Sequence, residues 1–394
     1  MKAFQVKENI YWTGVLDPGL ETFDIIMKTP YGSTYNSFFI DDEKKVLIDT
    51  VKPNFKDEFL EKLQELTDIK KIDYVIINHT EPDHAGSLKY ILEINPEVEV
   101  FCTKAASIFL NEQVNGPFTC HTISDNEILD IGKRKLKFIT APFLHWSDTM
   151  FVYSEYDKAL FTCDGFGSHY ASVDPQEVYK DAYKEALKLY YNAIMKPFAQ
   201  HYLNAHEKIK ALDIETIFSS HGPILSENHQ YNMNKYFEWS TEEVSKRNHK
   251  QVALLYVSAY RNTEVMAEKI KEGLEASGVK VEYMDVENED IGRIHDVING
   301  SKGILIGSPT INKTMVKPIW DVLSVIDPMA NIGKIAGVFG SYGWGGEGVQ
   351  MAHTILKQMG FKMPLEVISK KFSPSEETLE QCVAFGKAFA EYIS

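Results

Sequence analysis

The segment at residues 78–86, NHTEPDHAG, places two imidazoles and two carboxylates within six residues. They belong to His79, Glu81, Asp83 and His84, and imidazole and carboxylate are common metal ligands in proteins. A single histidine near the end of a strand is more often an ordinary polar residue than a ligand. Four such side chains in so short a stretch, directly after the apolar run YVIIN, favour a metal site.

Three later residues stand in the same kind of position. His145 follows FITAPFL, Asp164 follows ALFTC and His221 follows TIFSS. Each lies where an apolar strand gives way to glycine or polar residues, so all three can open onto one edge of a sandwich of sheets. The roles of three other histidines are left open: His121, His169 and His201.

These seven candidate ligands comprise four imidazoles, three carboxylates and no thiolate. Zinc accepts such ligands, usually four at a time. Seven ligands for two ions, with one carboxylate free to bridge, suit metals that keep open coordination positions. The chemistry therefore favours a pair of iron ions, with zinc as the alternative.

A second group of candidate residues lies in three loops: SAYRNTEVMA (258–267), GSPTINKT (307–314) and GSYGWGGEG (340–348). The first has hydroxyls at Ser258 and Thr263 before a predicted helix, a combination that suits a monophosphate. It lacks the G-x-G-x-x-G and Walker patterns of dinucleotide and ATP sites. The aromatic residues Tyr260, Tyr342 and Trp344 offer faces for a flavin ring. For the first loop alone, a simple capped helix is the alternative.

The elements that must position these residues follow two patterns. Up to about residue 240, strand hairpins alternate with helices such as an amphipathic one at 54–68, which predicts two sheets covered by helices. Residues 175–212 read as one long helical region rich in tyrosine. The polar segment 240–250 reads as a linker. After it, apolar strands alternate strictly with helices, the last starting at Ser375, which predicts a doubly wound parallel sheet. We place the domains at 1–248 and 249–394.

Composition restricts the possible partners and location. The chain has 394 residues and a formal net charge of −15, which argues against nucleic acid and anionic membranes as partners. It has no apolar run of membrane length, and its first residues lack a signal-peptide pattern. Its four cysteines never approach C-x-x-C spacing, so neither a disulfide framework nor a rubredoxin-type module is predicted. We therefore expect a cytoplasmic protein.

The pattern HTEPDH, followed by His145, Asp164 and His221, resembles the metallo-β-lactamase-fold core of the flavodiiron proteins, also called A-type flavoproteins. Hydrolytic relatives of that core read H-x-H-x-D-H and bind zinc, whereas this chain has Glu81 in place of the second histidine. The resemblance implies an N-terminal αββα sandwich. It also implies two iron sites, one held by His79, Glu81 and His145, the other by Asp83, His84 and His221, with Asp164 bridging them.

The three C-terminal loops are similar to those of a flavodoxin-like domain that binds FMN. The resemblance implies the following cofactor-binding residues: Ser258, Tyr260, Asn262 and Thr263 at the phosphate, Pro309, Thr310, Asn312, Ser341, Tyr342, Gly343 and Trp344 around the ring, and Arg261 in addition. The first loop departs from the commoner family form, which begins with threonine and often has tryptophan at the third position.

The family resemblance implies an oxidoreductase in which FMN passes electrons from a donor to a non-haem di-iron centre. That centre would reduce dioxygen to water, nitric oxide to nitrous oxide, or both. The expected donor is rubredoxin, or a reduced deazaflavin coenzyme. The expected assembly is a head-to-tail homodimer or a dimer of dimers. Two alternatives remain: a zinc-dependent hydrolase fused to a flavodoxin, and an electron carrier whose first domain holds a structural metal.

Overall fold

A computed structural model describes residues 1–25, 27–247 and 250–393. The chain divides into two compact units, Met1–Thr241 and Glu242–Ser394. The predicted domain boundary, between residues 248 and 249, lies outside the described residues. The prediction of a linker at 240–250 is wrong up to Arg247, because these residues continue the helix that begins at His229. The prediction relied on the polar residues of this segment. One of them, Ser240, is nevertheless buried, and its hydroxyl lies 3.0 Å from that of Tyr191.

The first unit contains many short strands. They are β1 Phe4–Lys7, β2 Ile10–Trp12, β3 Val15–Asp17, β4 Thr22–Phe23, β5 Met27–Lys28, β6 Ser33–Tyr35, β7 Phe38–Asp41, β8 Lys45–Ile48, β9 Tyr74–Ile76, β10 Glu99–Cys102, β11 Thr119–Thr122, β12 Ile128–Asp130, β13 Lys135–Thr140, β14 Met150–Ser154, β15 Ala159–Cys163 and β16 Thr216–Ser219. The described residues form a seven-stranded sheet, β1-β2-β7-β8-β9-β10-β11, and a five-stranded sheet, β12-β13-β14-β15-β16. Separate two-stranded ribbons pair β3 with β6 and β4 with β5.

Helices cover the outer faces of both sheets. They are α1 Lys56–Leu66, α2 Pro82–Ala85, α3 Leu88–Ile94, α4 Lys104–Val114, α5 Asp181–Tyr190, α6 Ala199–Ile209 and α7 His229–Arg247, with 3-10 turns at Pro53–Phe55, Ile69–Lys71, Pro175–Tyr179 and Lys196–Phe198 and a π-helical turn at Tyr191–Met195. One apolar cluster joins α1, α3 and α4 to the first sheet, and another joins α5, α6 and α7 to the second. A third cluster fills the space between the sheets, where the Phe38 and Phe218 rings lie 4.6 Å apart. The αββα sandwich is thus confirmed.

The region 175–212 is helical, as predicted, but not one continuous helix. It breaks into α5, the π-helical turn, a 3-10 turn and α6. Pro197 lies in that 3-10 turn, and proline cannot donate the backbone hydrogen bond that a continuing α-helix requires. The tyrosines predicted there are core residues, since Tyr183, Tyr190 and Tyr202 are fully buried.

The second unit is a doubly wound sheet, as predicted. Its elements are β17 Gln251–Tyr256, α8 Asn262–Ala276, β18 Lys280–Asp285, α9 Ile291–Gly300, β19 Gly303–Gly307, β20 Thr310–Ile311, β21 Thr314–Met315, α10 Lys317–Ser324, α11 Pro328–Asn331, β22 Ile335–Tyr342, α12 Glu347–Gln358, β23 Ile368–Lys371 and α13 Glu376–Tyr392. The parallel order is β18-β17-β19-β22-β23, and the β20–β21 hairpin attaches to β22. Ser375 caps α13, since its hydroxyl accepts from the backbone N–H of Thr378. None of the described helices is long and apolar enough to cross a membrane.

Candidate functional site

Strand and helix ends bring the seven predicted metal-binding residues together at one edge of the sandwich. β9 ends shortly before His79, and α2 begins at Pro82, where proline costs no helical hydrogen bond. The single turn of α2 carries Asp83 and His84. Asp164 directly follows β15 and His221 follows β16, whereas His145 lies in the loop between β13 and β14. All seven are buried except His145, whose side chain is 14% exposed.

Four of these residues form a first ligand group. Nε2 of His145 lies 3.0 Å from Oε2 of Glu81 and 2.9 Å from Oδ2 of Asp164. Nε2 of His79 lies 3.2 Å from the same glutamate oxygen and 3.6 Å from the same aspartate oxygen. One ligand atom from each residue falls within 4.8 Å of the others, so a single metal ion can be bound by all four.

The second ligand group shares Asp164 with the first. Nε2 of His84 lies 3.2 Å from Oδ1 of Asp83, and Nε2 of His221 lies 3.3 Å from Oδ2 of the same residue. Oδ1 of Asp164 lies 2.9 Å from Nε2 of His84 and 3.4 Å from Nε2 of His221. The two oxygens of Asp164 therefore face different ligand groups, which is the arrangement of a carboxylate that bridges two ions.

Buried atoms without hydrogen bonds show that this donor set fits metal ions. Both carboxylate oxygens of Asp83 and Nε2 of His84 are buried and form no hydrogen bond within the described residues. Buried polar groups without partners are costly, and a cation among them would remove that cost. The oxygen and imidazole donors suit iron as well as zinc.

Groups behind the ligands fix the orientation of the histidine rings. Nδ1 of His79 lies 3.4 Å from Oδ1 of Asp148, a buried residue whose other oxygen accepts from the backbone N–H and the hydroxyl of Thr80. Nδ1 of His221 donates to the carbonyl oxygen of Thr34 at 2.6 Å. Both contacts leave Nε2 facing the ligand cluster, as is usual for metal-binding histidines. Sequence analysis missed Asp148 and Thr34, and only the proximity of Asp148 to His145 in the chain hinted at a role.

The carboxylates make the histidines strongly basic in the absence of a metal. Burial opposes their charged form, but the charges of Asp83 and Asp164 raise the pKa of His84 to about 9. Hydrogen bonding to Asp164 and Glu81 likewise overcomes burial and raises the pKa of His145 to about 9. The same histidine charges, beginning with that of His84, hold the pKa of Asp164 well below its usual range despite burial. Protons and metal ions therefore compete for the same nitrogen atoms.

Two further buried residues, Cys163 and His169, border the cluster. Burial of the Cys163 thiol, with the charges of Asp49 and Asp164, raises its pKa well above the usual value, so it stays a neutral thiol and a poor ligand. His169, undecided from sequence, is buried with Nδ1 2.8 Å from the hydroxyl of Ser33, and its ring lies 4.6 Å from that of His221. Burial lowers the pKa of His169 well below its usual value, so this ring is neutral.

Asp24 also reaches the cluster, although sequence analysis did not single it out. It lies in the turn between β4 and β5. Burial and a hydrogen bond with Glu81 raise the pKa of Asp24 to about 6. The other two undecided histidines lie elsewhere: His121 pairs with Glu99 on the first sheet, and the His201 ring lies 5.0 Å from that of Phe143.

In the second unit, the loops after β17, β19 and β22 surround a cavity of about 220 Å³. Ten of the twelve predicted flavin-binding residues line it: Ser258, Tyr260, Asn262, Pro309, Thr310, Asn312, Ser341, Tyr342, Gly343 and Trp344. Ala259, Ile311 and Phe372 also contribute, and sequence analysis missed them. The cavity stands at the carboxyl edge of a parallel sheet and at the start of the fifteen-residue helix α8, where a phosphate group is favoured.

The other two predicted flavin-binding residues are not among those that line this cavity. Thr263 is fully buried, and its hydroxyl lies 2.9 Å from that of Ser341, so it supports the lining from behind. Arg261 adopts a left-handed backbone conformation with φ of 61°, and its guanidinium pairs with Glu264 at 3.1 Å. The first outcome depends on a contact between distant segments and the second on a left-handed backbone, and residue types reveal neither.

Comparison with known proteins finds both kinds of domain. Residues 33–222 match the ODP family beta lactamase model, and residues 254–386 match the flavodoxin model. The chain is 39% identical over 402 residues to the flavo-diiron protein FprA2 of Clostridium acetobutylicum, and the match covers the full length of both. It is 33% identical to the anaerobic nitric oxide reductase flavorubredoxin of Vibrio vulnificus, covering 99% of this chain and 80% of that one.

Solved structures agree as well. Rubredoxin oxygen:oxidoreductase from Desulfovibrio gigas is 28% identical, with a TM-score of 0.66 over 100% of this chain and 98% of the other. The flavodiiron protein from Giardia intestinalis is 30% identical, with a TM-score of 0.64 over 100% and 97% of the two chains.

Proposed function

The chain belongs to the flavodiiron protein family, and on that premise we propose that it reduces dioxygen to water, nitric oxide to nitrous oxide, or both. It is an oxidoreductase that uses FMN and a non-haem di-iron centre. The observation that carries the proposal is the position of Asp164, whose two carboxylate oxygens each face a separate group of ligands. Two ions held by these residues would supply positive charge at two neighbouring points, as two-metal sites do.

When bound, the two iron ions would supply electrons and positive charge to the substrate, with FMN as the source of the electrons. His79, Glu81 and His145 would hold one ion, and Asp83, His84 and His221 would hold the other. Asp148 and the carbonyl of Thr34 orient two of the rings. Burial of six ligands keeps bulk water away from the cluster, and His145 is the ligand most exposed to solvent.

The zinc hydrolase alternative fits the chain less well. Glu81 lies 3.0 Å from His145 and 3.2 Å from His79, so a carboxylate occupies the ligand position where hydrolytic relatives use histidine. The full-length similarity to flavo-diiron relatives also opposes it. A structural metal in an electron carrier would be fully enclosed by four ligands, whereas seven ligands shared by two ions leave positions for substrate.

The electron donor would dock over the flavin cavity. Tyr260 and Trp344 on its rim are 86% and 76% exposed. In a chain of net charge −15, five basic residues adjoin the lining segments: Arg261, Lys313, Lys317, Lys370 and Lys371. Arg261 pairs with Glu264 and Lys317 with Asp321, which leaves Lys313, Lys370 and Lys371 as the main source of positive charge. The last two pair in register with Ser341 and Tyr342 of the cavity lining. This local positive charge suits a small acidic redox protein such as rubredoxin, with a reduced deazaflavin as the alternative.

A salt titration tests this docking mode. The second-order rate of flavin reduction by reduced rubredoxin should fall steeply as ionic strength rises, because opposite charges steer the encounter. The double variant K370E/K371E should slow that rate about tenfold or more, whereas K387E on α13 should change it little. A rate insensitive to salt and to the double variant would oppose docking at this surface.

We further propose that the active assembly is a head-to-tail homodimer, or a dimer of such dimers, in which each flavin serves the metal centre of the partner chain. A two-fold contact of this kind closes on itself. Mixing two inactive variants tests it: Asp164→Ala removes the bridging ligand, and Ser258→Glu places a carboxylate in the phosphate loop. Heterodimers should regain activity, since one intact flavin then meets one intact metal centre. Failure of refolded, verified heterodimers to turn over would contradict the arrangement.

A cytoplasmic location completes the proposal. All four cysteines are free thiols, as is usual where the environment is reducing. Fractionation of the native cells would test it.

Anaerobic stopped-flow mixing tests the activity itself. The reduced protein, loaded with iron and FMN, is mixed separately with dioxygen and with nitric oxide. Rapid reoxidation by dioxygen with little hydrogen peroxide would establish a water-forming oxygen reductase, and faster turnover with nitrous oxide release would establish a nitric oxide reductase. If neither substrate reoxidises the metal centre, and metal analysis finds zinc, the proposal fails.

A further inference from the structure

Two of the four cysteines are in contact with each other, outside the metal and flavin sites. Sγ of Cys102 lies 3.4 Å from Sγ of Cys120, on the neighbouring parallel strands β10 and β11. We propose that this pair is a redox-active dithiol that closes reversibly to an intramolecular disulfide. Peroxides or small-molecule disulfides would be the oxidants.

The strand register places both thiols on one face of the sheet. Cys120 is paired with Val100, two residues before Cys102, and residues two apart in a strand point to the same side. Both thiols belong to the apolar cluster beneath α4. A disulfide requires the sulfur atoms to come roughly 1.4 Å closer. β11 is the edge strand of the described sheet and is held by hydrogen bonds to β10 alone, so it can shift to allow this.

The two thiols differ in access, and that difference assigns their roles. Cys102 is fully buried, whereas Cys120 is half-buried on a strand whose other residues are exposed. A hydrogen bond from the Cys102 thiol lowers the pKa of Cys120, which increases its thiolate fraction. Cys120 is therefore the attacking thiol, and Cys102 is the residue that resolves the intermediate.

The reaction with a peroxide balances without any other component. The Cys120 thiolate attacks one peroxide oxygen, the O–O bond breaks, and a sulfenic acid forms with release of the first water. The Cys102 sulfur then attacks that of Cys120, so that the S–S bond forms, the S–O bond breaks and a second water leaves. Two electrons pass from the thiols to the peroxide. A dithiol reductant reverses the change by thiol–disulfide exchange.

The remaining cysteines provide an internal comparison. Cys163 is fully buried beside Asp164, and Cys382 is buried on α13. In the described part of the chain, neither makes a sulfur–sulfur contact. Selective oxidation should therefore remove two of the four thiols and leave these two reduced.

Peptide mapping of the full-length, cofactor-loaded protein tests the proposal. The protein is reduced, freed of reductant, exposed in separate arms to equimolar hydrogen peroxide or to oxidised glutathione, alkylated and digested. Both arms should give a peptide pair linked through Cys102 and Cys120, about 2 Da lighter than the two reduced peptides. Dithiothreitol should restore both thiols. Cys120→Ser should abolish the linked pair, and Cys382→Ser should leave it unchanged.

Two results would overturn the proposal. One is full alkylation of Cys102 and Cys120 after both oxidants. The other is conversion of Cys120 to a sulfinic acid, or to a stable mixed disulfide, while Cys102 remains free. Cys102→Ser provides a second check, because oxidised glutathione should then accumulate as a mixed disulfide on Cys120. Absence of that adduct in a folded variant would show that Cys120 is not the attacking thiol.

Discussion

Oδ1 of Asp148 lies 3.4 Å from Nδ1 of His79, on the side of the ring that faces away from the metal-binding cluster. Asp148 is itself held by two hydrogen bonds from Thr80, at 2.8 and 2.7 Å. The carboxylate thus sets the orientation and basicity of the imidazole without being a ligand. Burial opposes its charge, yet the contact with His79 lowers the pKa of Asp148, so it is ionised.

Asp148→Asn should weaken iron binding at the His79 side of the cluster by roughly 10–100-fold, the usual effect of removing such a partner. Competition with a coloured chelator measures that affinity. The exposed Glu112→Gln on α4 is the matched loss of one negative charge, and it should leave the affinity unchanged. Equal affinities in the Asp148 variant and the parent protein would show that the contact does not support the ligand.

Asp164→Ala should remove iron from both positions, because the two oxygens of this residue face separate ligand groups. His84→Asn should mainly affect the group that contains Asp83 and His221. Metal analysis of purified variants measures the iron content. FMN content should stay near that of the parent in both variants, because the flavin cavity lies wholly in the second unit. Two retained iron ions in the Asp164 variant would exclude the bridging role.

The metal-free and iron-loaded proteins should respond to pH in opposite directions. In the metal-free fold the pKa of His84 and of His145 is raised from 6.5 to about 9. A raised pKa contributes stability that is fully present below pH 6.5 and is lost as pH rises through about 9. The melting temperature of the metal-free protein should therefore fall over that interval.

Iron affinity should rise over the same interval, since the nitrogen atoms must lose their protons to bind metal. Calorimetry and chelator competition measure the two trends. In metal-free His84→Asn the fall in melting temperature should be smaller. A melting temperature that rises with pH in the metal-free parent would contradict the assignment of charged histidines.

Gly340→Ala should disrupt the flavin cavity. A Cβ atom at Gly340 would lie 1.9 Å from the carbonyl oxygen of Ser308, so β22 would have to move away from the loop that follows β19. FMN affinity should fall by at least tenfold, and unfolding of the second unit should occur at lower temperature. Gly300→Ala is the control, because its Cβ meets no atom within 4 Å. Fluorescence of released FMN measures the affinity, and an unchanged value would show that β22 adapts.

Much of the site was predictable because its residues sit at recognisable points of local structure. Glu81, Asp83 and His84 fall around one helical turn that begins at Pro82, and Asp164 directly follows an apolar strand. Such patterns depend on a few neighbouring residues. The αββα and doubly wound architectures were likewise predictable from the spacing of apolar residues along strands and helices.

Other features could not be predicted, because they depend on contacts with distant segments or on backbone conformation. The supposed linker is helical up to Arg247, with Ser240 buried against Tyr191. Arg261 has a left-handed backbone and pairs with Glu264, and the Thr263 hydroxyl lies 2.9 Å from that of Ser341. Neither backbone handedness nor a contact 78 residues away can be read from residue types.

The sequence by itself determined the two folds and the kind of chemistry, because hydrophobic periodicity and ligand types are properties of short stretches. Only the tertiary structure decided that the two oxygens of Asp164 face different ligand groups, that Asp148 stands behind His79, and that the thiols of Cys102 and Cys120 meet. Each of these relationships joins residues brought together by sheet packing, strand register or loop closure. Distances across a fold follow from the packing of the whole chain, which no local pattern contains.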